Sequence, residues 1–228
     1  MNKNIKIRNN NKIIIAVPKG RILSELIPVF KKLKVIPEKD FFNSETRKIM
    51  FTTSNDLISL IKVRSFDVAN FVAFGGAHMG IVGLDVIKEF SFEEIYAPVN
   101  LEIGLCRLSV AEPIELALKD DPKTWSHLKV ATKYPNITKK HFAERGVQAE
   151  CLKLNGALEI APRLGLSKRI VDLVSTGKTL EENGLTEIEK IMDITSFLIV
   201  NRDMAKAYPN KINGIISNFR KVINAKNN

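Results

Sequence analysis

Residues 172–179, with the sequence DLVSTGKT, place an acidic side chain just before a turn rich in hydrogen-bond donors. The run RIVDLVS (169–175) has the apolar content of a buried strand, so the turn lies where a strand ends. At a strand–turn–helix junction, the first amides of the helix are free to bind a phosphate group. Five residues would supply amides and hydroxyls to this predicted site: Ser175, Thr176, Gly177, Lys178 and Thr179.

The turn alone is also consistent with an ordinary helix start, because serine and threonine cap helices whatever the function. Asp172 favours a ligand site, because a carboxylate that interrupts an apolar strand is costly unless something hydrogen-bonds it. At the carboxyl end of the strand, this side chain could accept hydrogen bonds from sugar hydroxyls. The acid and the turn together predict a site for ribose 5-phosphate. The segment is not a Walker A loop, since it lacks G-x-x-x-x-G-K-[ST].

The elements that would position this site alternate between strands and helices, which predicts an α/β fold. KIIIAV (12–17) is typical of a strand buried on both faces. The segment 95–111 has the length of two strands or of one long crossing strand. We predict two lobes, one formed by residues 12–107 plus 193–228 and the other, with the phosphate turn, by residues 108–192.

Shorter elements follow from the same patterns. DLISLIKV (56–63) is a short apolar element, and Asp67 is predicted to cap the helix over DVANFVAFGG (67–76). GALEIAPRLG (156–165) predicts a short helix, and TGKTLEENG (176–184) predicts a helix that ends at its last glycine.

The composition is that of a globular protein, with 228 residues of which 45% are hydrophobic and 26% charged. The net charge of +10 suits either nucleic acid or a highly phosphorylated small substrate as a partner. The lysines are spread along the chain and form no stripe with aromatic residues, so we expect no nucleic-acid partner. No apolar run approaches the ~18 residues needed to cross a bilayer, so we expect no membrane span.

Two features of the sequence indicate a cytoplasmic protein. The first eleven residues, MNKNIKIRNNN, have no apolar segment behind them, so we expect a disordered tail and no secretory signal. Cys106 and Cys151 sit in apolar, strand-like stretches without the spacing of a disulfide framework, so we expect structural thiols. The three histidines lack metal-ligand spacing.

Eight segments of the chain match the motifs of one enzyme family. They are AVPKGRIL (16–23), VRSFDV (63–68), GIVGLDVIKE (80–89), GLCRLSVA (104–111), VATKYPNIT (130–138), FAERG (142–146), KLNGALEIAPRLGL (153–166) and IVDLVSTGKTLEENGL (170–185). They occur in family order and cover nearly all of the chain beyond the first eleven residues. On these segments the chain resembles the ATP phosphoribosyltransferase family, whose reaction is the first step of histidine biosynthesis, and the last segment matches the family's phosphoribosyl-pyrophosphate signature.

The resemblance implies a two-lobed fold like that of the type II periplasmic binding proteins, with the active site in the cleft between the lobes. It also implies the reaction, in which N1 of the ATP adenine bonds to C1 of phosphoribosyl pyrophosphate and pyrophosphate leaves, with Mg²⁺ present. The chain ends soon after the predicted helix over residues 209–224, which is similar to the short form of the family. That form works as a catalytic homodimer within a hetero-oligomer, together with a regulatory subunit similar to histidyl-tRNA synthetase.

The resemblance also assigns roles to residues of the predicted phosphoribosyl site. Asp172 and Glu159 would bind the ribose hydroxyls, directly or through Mg²⁺, and which carboxylate contacts the metal stays open. Glu159 taken alone is equally consistent with the surface of a helix. Residues 175–179 would bind the 5-phosphate, although the side chain of Lys178 is also consistent with facing water.

Two other turns would bind the pyrophosphate or the phosphates of ATP. Lys19, Gly20 and Arg21 follow the first strand, and Gly20 allows close approach of the backbone. The same three residues are also consistent with a basic helix start. Lys133 and Tyr134 open the first turn of the second lobe and would line the cleft.

Arg64 and Arg47 are the predicted catalytic residues, because a guanidinium can stabilise the departing pyrophosphate. The chain departs from the family pattern near one of them, with DVANF (67–71) where D-V-P-x-Y is usual. It also has His78 where an acidic residue is usual, and GLD (83–85) where G-K-D is usual. These differences bear on the nucleotide pocket and the subunit contacts. We expect His78 to be a packed or surface histidine and not a catalyst.

Two other functional classes stay open from the sequence. A solute-binding protein could share the two-lobed architecture, but it would normally carry an export signal, which the sequence does not show. A nucleic-acid-binding module is motivated only by the charge, and its binding would depend strongly on salt.

Overall fold

The computed structural model of this protein describes residues 12–225, so the predicted tail over residues 1–11 lies outside the described residues. The described chain is divided into two compact units. The first contains the chain up to Ile87, the segment Ser91–Gly104 and the chain from Thr195 onward. The second contains Lys88–Phe90 and Leu105–Ile194. Each unit is built around its own β-sheet.

The strands of the described residues are numbered in chain order. They are β1 (Ile13–Pro18), β2 (Met50–Thr52), β3 (Ile58–Val63), β4 (Met79–Gly83), β5 (Ile95–Asn100), β6 (Cys106–Pro113), β7 (His127–Thr132), β8 (Gln148–Lys153), β9 (Arg169–Val174), β10 (Leu185–Ile194) and β11 (Ser196–Asn201).

The α-helices are numbered in the same way. They are α1 (Arg21–Lys32), α2 (Ser65–Ala73), α3 (Leu84–Phe90), α4 (Ile114–Ala117), α5 (Pro135–Ala143), α6 (Lys178–Glu182), α7 (Arg202–Ala207) and α8 (Pro209–Asn224). Single 3₁₀ turns occur at Lys39–Phe42, Pro122–Thr124 and Leu158–Ile160. Over residues 12–225, no helix has the length and apolar content to cross a membrane.

The sheet of the first unit has the strand order β2-β3-β1-β4-β11-β5. Every residue of β1 is buried, as expected for a central strand covered on both faces. β1 pairs in parallel with β3 and β4, so the carboxyl ends of these three strands lie at the same edge. The sequence predicted only a short apolar element at DLISLIKV; this segment forms β3, which pairs with β1 and β2.

Helices α1 and α8 complete the core of the first unit. The buried residues of α8 recur at helical spacing and face the core: Ile212, Ile216, Phe219 and Ile223. Phe30 of α1 meets Phe219 edge to face, with ring centroids 6.5 Å apart. This packing fixes α1, and with it the turn between β1 and α1 that carries predicted site residues.

The sheet of the second unit has the strand order β10-β6-β9-β7-β8. β9, β7 and β8 are parallel to one another, whereas β6 is antiparallel to both of its neighbours. The segment 95–111 forms two strands and not one, with β5 in the first sheet and β6 in the second. The parallel strands bring the turns that follow β7, β8 and β9 to a single edge of this sheet.

Three local predictions are corrected. The helix predicted over residues 156–165 is a single 3₁₀ turn at Leu158–Ile160. The helix predicted over 176–184 has only five residues, since the left-handed Gly177 precedes it and the chain leaves the helical conformation at Asn183. Asp67 does not cap α2, because the helix begins two residues earlier and Arg64 occupies the cap position. Asp67 lies in the first turn instead, where its charge still favours the helix dipole.

Candidate active site

The predicted phosphate turn lies at the carboxyl end of β9. Its side chains at 175, 176, 178 and 179 are exposed, and Gly177 adopts φ +87° and ψ −11°. This left-handed conformation favours glycine, because a Cβ would crowd the following carbonyl. The helix behind the turn is too short for a large macrodipole, so the backbone amides and hydroxyls of the turn itself are the main donors available to an anion.

Asp172 is half-buried in β9, three residues before the turn. Its Oδ1 accepts a hydrogen bond from the amide of Leu173 at 2.8 Å, and its backbone lies opposite Ser109 of β6. By strand alternation the side chain shares a face with Ile170 and Val174, which belong to the core of the second unit. Asp172 therefore stands at the border between this core and the polar turn.

Glu159 is brought to the same region by the residue before it. Leu158 is buried in one hydrophobic cluster with Ile170 and Val174 of β9, so the 3₁₀ turn that carries Glu159 packs beside that strand. Glu159 is half-buried. Because its turn follows β8 while the phosphate turn follows β9, both carboxylates and the phosphate turn lie toward one edge of the sheet.

The turn after β7 lies at the same edge, but two backbone amides at its end already donate hydrogen bonds within the protein. The carboxylate of Glu89 is buried and accepts hydrogen bonds from the amides of Asn136 at 3.0 Å and Ile137 at 3.0 Å, at the start of α5. Tyr134 is only 2% exposed, so its ring belongs to the interior of the unit. Lys133 of this turn is half-buried, and its side chain carries a positive charge that could bind a substrate phosphate.

The predicted basic residues of the first unit share the carboxyl edge of their own sheet. The amide of Lys19 donates to the carbonyl of Val63 at 2.9 Å, which places Lys19 beside Arg64. Arg64 is exposed and follows β3, the strand parallel to β1. The pKa of the neighbouring Lys62 amine is lowered, first by burial and then by the positive charge of Lys19. This edge of the sheet is therefore rich in positive charge.

Arg47 approaches this edge through the antiparallel strand β2. The amide of Lys62 donates to the carbonyl of Ile49 at 3.0 Å, which extends the β2–β3 pairing by one residue beyond Met50. Arg47 lies two residues further along, toward the end of β3 where Arg64 follows, and its side chain is exposed.

Arg21 makes structural contacts within the first unit. Its guanidinium donates to the carbonyl of Gly104 at 3.3 Å and lies 3.9 Å from Glu25, one helical turn away. The same glutamate accepts a hydrogen bond from the amide of Gly104 at 2.7 Å. Gly20 adopts φ +93°, a conformation that a residue with a Cβ would strain. Arg21 is still half exposed, so a substrate phosphate can reach it.

Sequence reasoning missed a charged cluster beside the phosphate turn. Arg107 of β6 binds Glu187 of β10, and it also donates to the carbonyl of Ser175 at 3.2 Å. Ser109 donates to the same glutamate at 2.8 Å. The sequence does not single out this pair, because β10 contains three other charged residues and β6 also contains Glu112.

A cavity of about 770 Å³ opens at the other end of the second sheet, beside the first residues of β7 and β9. Trp125, Asp120 and Arg169 are among its lining residues. None of the predicted site residues, all of which lie within the described chain, lines it. This cavity therefore does not coincide with the predicted chemistry, and the predicted phosphate turn is an exposed loop.

Comparison with known proteins identifies relatives over almost the whole chain. The family model HisG, described as ATP phosphoribosyltransferase, matches residues 64–221. An ATP phosphoribosyltransferase of Rhizorhabdus wittichii is 58% identical over 94% of this chain and 97% of its own length. One of Paramagnetospirillum magneticum is 57% identical over 92% of this chain and 96% of its own.

Two solved structures have a similar fold. The ATP phosphoribosyl transferase (HisG:HisZ) complex from Thermotoga maritima aligns with a TM-score of 0.78 at 29% identity, covering 93% of this chain and 99% of that one. The periplasmic aliphatic sulphonate binding protein SsuA from Escherichia coli aligns with a TM-score of 0.55 at 14% identity, over 92% of this chain and 72% of that one. The second similarity shows the fold alone, and it confirms the predicted resemblance to periplasmic binding proteins.

Proposed function

Because this chain belongs to the ATP phosphoribosyltransferase family, we propose that it joins C1 of phosphoribosyl pyrophosphate to N1 of ATP and releases pyrophosphate. This reaction is the first step of histidine biosynthesis. One observation supports the assignment of the site: within one unit, an acidic residue near the end of a strand is followed directly by a polar turn. Asp172 precedes a turn in which Gly177 has the left-handed conformation and its neighbours are exposed.

The phosphoribosyl group would be held at the carboxyl edge of the second sheet. The amides and hydroxyls of residues 175–179 bind the 5-phosphate, and Asp172 and Glu159 accept hydrogen bonds from the ribose hydroxyls. The Lys178 side chain contributes least, since it is 77% exposed and lies 3.7 Å from Glu182. A sugar held at its phosphate and at its hydroxyls cannot rotate, so C1 is presented to the nucleotide in one orientation.

The chemistry requires charge stabilisation and no covalent nucleophile. As pyrophosphate departs, positive charge develops on the sugar and negative charge develops on the leaving oxygens. Arg64 and Arg47 would stabilise the leaving group, and the exposed cations Lys19 and Arg21 would bind its oxygens or those of ATP. Gly20 would let the backbone approach these oxygens, and Lys133 would contribute a further cation. Fixed charges of this kind need no reorganisation while the bond breaks.

Magnesium is the proposed cofactor, and the donors near the turn suit it. Asp172 and Glu159 are half-buried carboxylates, and Mg²⁺ prefers oxygen ligands while it keeps several waters. It is usually bound through one or two carboxylates together with substrate phosphates, so either of these residues could hold it once the sugar pyrophosphate is present. The ion would neutralise charge on the pyrophosphate oxygens.

We further propose that the chain functions in the cytoplasm as a catalytic homodimer within a hetero-oligomer. The similar structure from Thermotoga maritima is a complex of HisG with HisZ. The corresponding partner of this chain would be a regulatory subunit similar to histidyl-tRNA synthetase. Activity measured with and without that subunit tests this proposal, and equal activity in both cases would contradict a requirement for it.

The site assignment is tested by binding of phosphoribosyl pyrophosphate and by steady-state kinetics. Asp172→Asn and Thr176→Val should weaken the use of phosphoribosyl pyrophosphate by ~100-fold or more while the protein stays folded, because each removes a partner of a charged or polar ligand group. Asp203→Asn in α7 and Thr186→Val in β10 make the same chemical changes and should have little effect. If both site variants behave like the wild type, the sugar phosphate binds elsewhere.

A further inference from the structure

Arg107 and Glu187 form a two-point ion pair across the neighbouring strands β6 and β10. The Nε of Arg107 lies 2.7 Å from Oε1 and 2.9 Å from Oε2 of Glu187, and a terminal amino group of Arg107 also reaches Oε2. Ser109, which is fully buried, donates its hydroxyl to Oε1 of Glu187 at 2.8 Å. Arg107 is thus held in one orientation by a carboxylate that is itself anchored to the sheet.

The other amino group of Arg107 reaches the predicted phosphate turn. Its Nη1 donates to the backbone carbonyl of Ser175 at 3.2 Å. The Ser175–Thr176 peptide is planar and trans, so its N–H points away from its C=O. With the carbonyl directed at Arg107, the amide of Thr176 must face the opposite side of the peptide. One contact at the first residue of the turn therefore sets the direction of a donor inside the turn.

Arg107 acts on the turn through orientation and not through net charge. Hydrogen bonding from Arg107 lowers the pKa of Glu187, so the carboxylate is ionised at neutral pH. The two opposite charges largely cancel at the distance of a bound phosphate. A hydrogen bond to the carbonyl also polarises the peptide, which strengthens its N–H as a donor.

We infer that Arg107, held by Glu187 and Ser109, is a positioning residue that orients the Ser175–Thr176 peptide to receive the 5-phosphate of phosphoribosyl pyrophosphate. The inference rests on the proposed function, because it requires the turn at 175–179 to be the phosphate site. It adds three residues that do not touch the substrate. A turn that is oriented before the ligand arrives binds it without the entropy cost of ordering.

The test uses the full chain with its regulatory subunit and compares two ion pairs of nearly equal exposure. Arg107→Met and Glu187→Gln break the pair at the turn, whose side chains are 33% and 24% exposed. Arg145→Met and Glu189→Gln break a control pair that also involves β10. Its side chains are 34% and 25% exposed, and within residues 12–225 its hydrogen bonds do not reach the turn. The readouts are the Kd for ribose 5-phosphate, the KM for each substrate, kcat, and the Tm of each variant.

We expect the turn variants to bind ribose 5-phosphate ~10-fold more weakly and to raise the KM for phosphoribosyl pyrophosphate in proportion, with the KM for ATP unchanged. Arg107→Lys should recover part of the loss, because lysine can donate to the carboxylate or to the carbonyl but cannot hold both in a fixed fork. The control variants should change none of these values. A merely structural role would lower the Tm and leave the two KM values in their original ratio.

Two results would overturn the inference, and they are distinguishable from each other. If Thr176→Val loses ribose 5-phosphate binding while Arg107→Met and Glu187→Gln keep it, the turn is the site but Arg107 does not position it. If none of the three variants affects binding, the proposed site fails and the inference fails with it. If Arg107→Met does not fold, Glu187→Gln and Ser109→Ala carry the same test, since both release Arg107 without removing it.

Discussion

Arg169 and Glu112 form an ion pair in the interior of the second unit, with Nε and Oε2 2.7 Å apart and the residues 4% and 1% exposed. Arg169 also bonds to Asp120 and lies over the ring of Trp125, 4.4 Å from its centroid. Burial raises the pKa of Glu112, and the positive charge of Arg169 opposes that rise. The guanidinium therefore favours the charged form of the Glu112 carboxylate, whereas burial disfavours it.

Removing the cation should destabilise the protein strongly. We expect Arg169→Met to lower the free energy of unfolding by ~3–5 kcal/mol, because it leaves a buried carboxylate without its partner. The double variant with Glu112→Leu should recover much of that loss. Urea unfolding measures both values, with Lys190→Met as the control because it breaks an exposed pair and should cost less than ~1 kcal/mol. A single variant as stable as the control would contradict the prediction.

His78 should make stability depend on pH. Its Nδ1 accepts a hydrogen bond from the amide of Ile14 at 3.1 Å, and its ring contacts Tyr208. Burial, and secondarily the charge of Lys211, lower the pKa of His78 below its ordinary value of 6.5. The neutral ring therefore contributes stability that is fully present above pH 6.5 and is lost as the pH falls through the lower, folded-state pKa.

The measurement for His78 is the Tm at a series of pH values between neutral and weakly acid. His78→Asn keeps an acceptor for the amide and does not titrate, so its Tm should fall less on acidification than that of the wild type. His127→Asn is the control, since His127 is exposed. Parallel curves for the wild type and His78→Asn would show that this histidine does not titrate in the relevant range.

Gly177→Ala should separate a general backbone effect from a specific effect on the site. Open space surrounds the position, so the cost comes from the left-handed φ of +87° and not from a clash. We expect ~1 kcal/mol of lost stability and a KM for phosphoribosyl pyrophosphate raised ~10-fold, because relief of the strain moves the amides of the turn. Gly146→Ala, at φ +72° and also in open space, should lose similar stability with no change in KM. Equal KM effects at both positions would argue against a site at Gly177.

Arg64→Ala should lower kcat by ~100-fold while changing the KM for ATP much less, because leaving-group charge develops only in the transition state. Arg220→Ala is the control, since Arg220 is also exposed and lies in α8, outside the predicted site. A variant that loses ATP affinity and keeps its turnover would assign Arg64 to nucleotide binding instead.

The sequence was sufficient for several features that depend on near neighbours, although not for the lengths of the helices predicted after β8 and β9. The buried strand β1, the strand β9 with its half-buried acid, and the glycine turn at 177 all follow from patterns within a few residues. Hydrophobic periodicity and left-handed glycines are local properties of the backbone, so one sequence carries them. The order of the matching segments also predicted the family correctly.

Only the tertiary structure decided which distant groups meet. Arg107 lies 80 residues from Glu187 and 68 from Ser175, and Glu89 lies 47 residues from the helix start that it caps at Asn136. These contacts depend on the strand order and on the register of β6 against β9 and β10. The alternation of apolar and polar residues along a strand would be the same whichever strand lay beside it. The sequence of one strand therefore does not specify its neighbour in the sheet. The sequence by itself therefore indicated the buried strands and the glycine turn at 177, and the pairing of strands determined which side chains lie beside that turn.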